Sequence, residues 1–118
     1  MSDRFPHHQL EVYRLSLELA VLAKELCARV PRGYRGLADQ LIRSAPGVVL
    51  LIAEGANRSS AAQKRQRFVE ARGECGEAAA TVELLSRMDL VPLADSVRFQ
   101  EAADRVAAML TGLIRRWS

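Results

Sequence analysis

Four stretches of this chain carry apolar residues at every third or fourth position. The most regular is Phe68, Ala71, Cys75, Ala78, Val82 and Leu85. Val12, Leu15, Leu19, Leu22 and Leu26 repeat the spacing near the start, and Phe99, Ala103, Val106, Leu110, Leu113 and Trp117 repeat it near the end. A rougher stripe, Leu37, Leu41, Ala45, Val48 and Ile52, lies between the first two. Steps of three and four gather side chains on one face of a helix, whereas a strand needs steps of two. Composition agrees, since 18 Ala and 16 Leu against 10 Val, 3 Ile and 2 Thr favour side chains that lose little rotamer freedom in a helix. Four stripes predict four helices.

Turn signals separate them. Val30-Pro31-Arg32-Gly33-Tyr34-Arg35-Gly36 makes the first break, Gly55-Ala56-Asn57-Arg58-Ser59 the second and Asp89-Leu90-Val91-Pro92 the third. Ser60 with Gln63 fits a capping box, and Pro92 suits a first helical residue because its missing N–H has no intrahelical partner there. Helices of roughly 20–28 residues run about 30–40 Å, and short connections force neighbours antiparallel. The expected fold is all-α, an up-down-up-down antiparallel four-helix bundle, with the 118 residues forming a single domain. Pro46 is expected to kink or interrupt the second helix, by removing an N–H and crowding the carbonyl of Ile42.

One bundle does not use all the apolar surface. Val48-Val49-Leu50-Leu51-Ile52-Ala53 is apolar on every helical face, and Gly73, Gly76, Ala80 and Leu84 flank the third stripe. Val49, Leu50, Leu51, Gly73, Gly76, Ala80 and Leu84 are therefore candidates for an interface between copies, predicting a homo-oligomer. The alternative is that Gly73 and Gly76 let helices of the same bundle pack closely.

Hydrophobic residues at 49% and charged ones at 26% match a folded globular chain rather than a disordered one. The Met1-Ser2-Asp3-Arg4 start lacks a signal-peptide apolar stretch, and the near-apolar run Ala45 to Ala53 is too short to span a bilayer. A cytoplasmic protein without a membrane partner is expected, with Cys27 and Cys75 as reduced thiols.

The inventory of reactive groups points away from catalysis. No Glu-x-x-His pair serves a di-metal bundle site, and the only histidines, His7 and His8, stand adjacent near an end expected to fray. Neither cysteine has a neighbouring His, capping accounts for Ser59 and Ser60, and no glycine-rich phosphate loop follows a strand. We expect no enzyme, no metal and no cofactor. Glu54 and Arg72 each sit close to an apolar stripe, where a lone charge is costly, so they are expected to pair across the second and third helices.

Charge is uneven. The net charge is +3, yet nine basic residues from Arg29 to Arg72 face only Asp39, Glu54 and Glu70. Arg58, Lys64, Arg65 and Arg67 form the denser cluster, a candidate nucleic-acid surface that an oligomer would repeat. No aromatic is interleaved in that segment to stack bases, so a solvated helix start is the competing reading.

The chain also resembles the small bacterial four-helix-bundle proteins named for intervening sequences of large-subunit ribosomal RNA. The resemblance rests on His8-Gln9-Leu10-Glu11-Val12-Tyr13, Leu37 to Arg43, Ile52-Ala53-Glu54-Gly55 with Arg58, Phe68 with Ala71-Arg72-Gly73, and Met109-Leu110 with Gly112-Leu113-Ile114. Val48, Val49, Leu50 and Leu51 stand where that family usually reads Ile-Pro-Ser-Asn. The chain is similar, too, to the accessory variability proteins of diversity-generating retroelements. These resemblances imply a four-helix bundle, a ring-shaped homopentamer, and a link to RNA and a reverse transcriptase partner. Two functions follow as expectations: a nucleic-acid-binding accessory module acting through its basic cluster, or a scaffold presenting apolar and charged surfaces to a protein partner.

Overall fold

The computed structural model describes residues 4–118; the Met1-Ser2-Asp3 start lies outside them. Four helices follow in order, α1 (Glu11–Cys27), α2 (Arg35–Asn57), α3 (Ala61–Arg87) and α4 (Leu93–Arg116), with 3-10 turns at Pro6–Gln9 and Arg32–Tyr34. Each helix packs on its neighbours in the chain, α4 closes on α1, and the diagonal pairs stay apart. This is the expected all-α, up-down bundle, 43 × 30 × 22 Å in extent.

The stripes are its core. All six residues of the regular stripe, Phe68 to Leu85, are buried, as are Leu41, Ala45, Val48 and Ile52 of α2 and Phe99, Ala103, Val106 and Leu110 of α4. Burial of each large apolar side chain contributes about 1.5–3 kcal/mol, so Phe68, Phe99, Leu19, Leu41, Ile52, Leu85 and Leu110 dominate cohesion. In α1, Leu15 and Leu22 are only half-buried, while Ser16 and Ala23 take the central line with Val12, Leu19 and Leu26. Ser16 can sit there because its hydroxyl donates to the carbonyl oxygen of Tyr13 at 2.6 Å.

The helix ends follow local chemistry. Ser60 Oγ accepts from the N–H of Gln63 at 3.1 Å and caps α3. At its other end, the N–H of Leu90 reaches Leu85 O at 2.9 Å and that of Asp89 reaches Ser86 O at 3.0 Å. This pair closes a Schellman turn, with Asp89 left-handed at φ 60°. Pro92 precedes α4 as its N-cap rather than serving as the first helical residue, and its carbonyl accepts from Asp95 and Ser96.

Pro46 does not interrupt α2, which runs unbroken from Arg35 to Asn57. By length and composition, the Arg32–Asn57 segment is apolar enough to cross a bilayer. In the bundle, its Leu41, Ala45, Val48 and Ile52 are buried in the core.

Candidate nucleic-acid interface

Antiparallel topology brings the start of α1, the end of α2, the start of α3 and the end of α4 to one end of the bundle. Segments 4–14, 54–70 and 111–118 meet there. Their eight basic residues, Arg4, Arg14, Arg58, Lys64, Arg65, Arg67, Arg115 and Arg116, face only Glu11, Glu54 and Glu70. That end therefore carries +5 where the whole chain carries +3. Arg115 and Arg116 sit in the last turn of α4, where the helix dipole favours a cation.

An aromatic stands among these charges. Lys64 Nζ lies 5.3 Å from the centroid of the Trp117 ring, and the Arg116 guanidinium lies 5.4 Å from it. Both distances fall within cation–π range. Lys64 also donates to Ala56 O at 2.9 Å, and Arg65 Nε donates to Ser118 Oγ at 3.0 Å, tying α3 to the end of α4. The cluster read from the sequence thus acquires an aromatic neighbour from 53 residues downstream of Lys64, together with Arg115 and Arg116. Counting helix lengths outward from the Asp89–Pro92 break is the signal that finds it.

Arg67 leaves the cluster. Its Nη1 donates to Glu70 Oε1 at 2.5 Å, and its Nε lies 3.3 Å from Glu54 Oε2. That second contact is an ion pair without hydrogen-bond alignment, because Nε is hidden from water yet makes no hydrogen bond. The hydrogen bond from Arg67, supplemented by one from Gln66, holds the Glu70 carboxyl below the usual carboxylate range. With two carboxylates beside it, Arg67 is a poor anchor for phosphate.

The expected Glu54–Arg72 pair is not formed. Arg72 Nε instead donates to Thr111 Oγ1 at 2.7 Å, on the α4 side. The cause is helical phase and rise: five residues separate Arg67 from Arg72, which moves the side chain about 7.5 Å along α3 and roughly 140° around it. Gly55, beside Glu54, shows why α2 and α3 meet at the level of Arg67. A Cβ on Gly55 would lie 2.7 Å from Phe68 Cε1 and 3.1 Å from Arg67 Cβ, so the missing side chain permits the approach.

The two histidines do not belong to a frayed end. They lie in the Pro6–Gln9 turn, half-buried, with ring centroids 4.4 Å apart, and His7 stacks on Phe5 and leans on Tyr13. Asn57 Nδ2 reaches His7 Nδ1 at 2.8 Å and docks the turn on α2. Among the described residues, no three His, Cys, Asp or Glu side chains gather as metal ligands. Burial pushes the Cys75 thiol up to about 11, and also raises that of Cys27.

The candidate self-interface is partly redrawn. Val49 is buried inside this bundle and Leu51 packs against its core, so neither faces outward; Leu50 does, at 64% exposed. Gly73, Gly76 and Ala80 are exposed in line with Leu84 and with Val69, opposite the buried stripe of α3. Nothing lies within 4 Å of a Cβ built on Gly73 or Gly76, so these glycines do not serve close packing within the bundle.

A family model described as 23S rRNA-intervening sequence protein matches residues 8–112. Among solved structures, the chain is similar to a protein of unknown function from the S23 ribosomal protein family of Bacteroides thetaiotaomicron VPI-5482. The two share 22% identity at a TM-score of 0.83, over 87% of this chain and 97% of that one. At that identity, the likeness is one of fold. No curated protein matches the chain.

Proposed function

This chain belongs to the 23S rRNA-intervening sequence protein family, and on that premise we propose that it is a non-enzymatic, homo-oligomeric accessory protein that binds RNA at its basic end. One observation carries the reading: Arg58, Lys64, Arg65, Arg115 and Arg116, from segments far apart in the chain, share one end of the bundle, where Lys64 and Arg116 lie against the Trp117 ring and Arg65 bonds to Ser118 beside it. Cations neutralise backbone phosphates at a cost set by salt, and an aromatic among them offers a platform that bases stack on without regard to sequence. Self-association through the outer face of α3 multiplies the end, and a ring of copies, five by the family resemblance, converts weak single contacts into avid ones. The protein works in the cytoplasm without a cofactor.

A second reading has its own support. Leu50 and the α3 line Val69, Gly73, Gly76, Ala80 and Leu84 leave apolar surface open, and a scaffold would use it to hold a protein partner.

The test is fluorescence anisotropy with structured RNA, single-stranded RNA and duplex DNA at two salt concentrations. The comparison variant is Arg58→Glu/Arg65→Glu/Arg115→Glu, which spares Arg67 and its carboxylate partners. RNA binding that weakens with salt, and is lost in a variant with unchanged helicity, supports the reading. Absence of binding at low salt removes it and leaves the scaffold.

A further inference from the structure

We propose that the cleft between the Pro6–Gln9 turn and the end of α4 binds one nucleoside monophosphate unit. Its base would lie against Trp117, and its phosphate between Lys64 and Arg116. The inference rests on the nucleic-acid reading for its biological source, an unpaired or terminal nucleotide of RNA, but its chemistry is argued from the cleft alone. The cleft encloses about 310 Å³, at the lower end of the roughly 300–1,000 Å³ typical of small-molecule sites. That volume suits one nucleotide and excludes a duplex.

The lining divides as such a ligand does. Leu10, Phe68 and Leu113 line it with the Trp117 ring, and Lys64 and Arg116 line it over that ring, with no acidic residue among the lining groups. Two cations drawn to one ring lie within roughly a Debye length of each other, ~10 Å at 0.1 M salt, and they repel. Among the described residues neither has a carboxylate partner. An anion entering between them relieves that repulsion.

Both cations also have donors to give. An ammonium carries three, and Lys64 uses one on Ala56 O. Arg116 makes no hydrogen bond within the described chain, so all five of its donors are open to phosphate oxygens. Arg116 now covers Trp117; a base takes that face and releases the guanidinium toward the phosphate.

Trp117 is the only tryptophan in the chain, so its fluorescence reports on this cleft alone. The experiment titrates the full chain with AMP and GMP, with adenosine and inorganic phosphate as half-ligand controls, and then with single-stranded RNA. Saturable quenching by the monophosphates is expected, with each half-ligand about tenfold weaker or worse, and about tenfold loss of affinity in Lys64→Gln and in Arg116→Gln. Neither side chain is buried in the core, so helicity should hold in both variants. Quenching by monophosphates without RNA binding would support the cleft, make its occupant a free nucleotide, and remove the nucleic-acid reading. RNA binding that leaves Trp117 fluorescence unchanged would overturn the cleft and spare that reading. Absence of monophosphate quenching in the millimolar range, or quenching unaltered in both variants, would also overturn it.

Discussion

Asn57 Nδ2 stands 2.8 Å from His7 Nδ1 and 2.7 Å from Ala53 O, and the pair of contacts fixes the protonation of the histidine. A carbonyl oxygen can only accept, so Ala53 O holds the amide with its nitrogen inward, and the second amide hydrogen then points at His7. His7 Nδ1 must be an unprotonated acceptor. Burial of the ring first, and the charge of His8 second, push His7 below its ordinary value. The docked turn therefore binds a proton less readily than the released one. Docking is complete above about pH 6.5, the unperturbed histidine value, and is lost as the pH falls through that value toward the lowered one. Following the His7 ring by NMR against pH should show a midpoint below the ordinary one, with smaller amide protection factors in the turn at acid pH, after the slower intrinsic exchange is divided out. Asn57→Asp should reverse the sign, since a carboxylate favours the imidazolium. A ring that titrates at or above the ordinary value would refute the assignment.

Gly55 sets the spacing of α2 and α3 at the basic end. Alanine there gains about 1 kcal/mol of helix propensity but drives its Cβ to 2.7 Å and 2.9 Å from the Phe68 ring. Phe68 is fully buried and cannot swing aside. Overpacking of this kind costs about 1–3 kcal/mol, so Gly55→Ala should lower stability despite the better helix former. Urea denaturation checks it: the midpoint should fall with the slope unchanged.

The contrast between Arg67 and Arg72 shows what the sequence could and could not convey. Periodicity alone placed Phe68 to Leu85 in the core, because one helix decides which of its own residues share a face. Which charge Glu54 meets depends on how two helices slide past each other. That slide was in fact encoded in the three-residue link between Asn57 and Ala61: Gly47 beside Glu74, Glu54 beside Arg67 and Gly55 beside Phe68 all straddle the Ser60–Ala61 junction almost symmetrically. Trp117 was harder to place. Its approach to Lys64 needs the lengths of α3 and α4 and the turn between them to match, a property of the assembled bundle. The Pro6–Gln9 turn gave no helical period at all, and its order comes from ring stacking and one amide that only the fold supplies.

Asp89 closes the Schellman turn between α3 and α4 at φ 60°, a conformation in which a Cβ crowds the backbone. Leu90 packs against the core directly after it, so the turn cannot relax without moving an apolar contact. Asp89→Gly keeps both closing hydrogen bonds and removes the crowding. It should raise stability by about 0.5–1 kcal/mol, read as a higher urea midpoint. A midpoint that falls would mean the aspartate side chain itself holds the turn.

Gly73 and Gly76 separate two accounts of the outer face of α3. An added Cβ meets nothing within 4 Å at either position. In a lone bundle, alanine at each should therefore stabilise by up to about 1 kcal/mol per site through helix propensity alone. If a second copy lays its backbone along this face, the same two methyl groups hold the helices apart and weaken the assembly. Gly73→Ala/Gly76→Ala should then resist urea better than the parent at dilutions where both are single chains, yet show a lower mass by light scattering at micromolar concentration. Leu84→Glu, on the same line, should lower the mass without the gain in stability. A double-alanine variant that is more stable and keeps the parental mass would move the self-interface off α3.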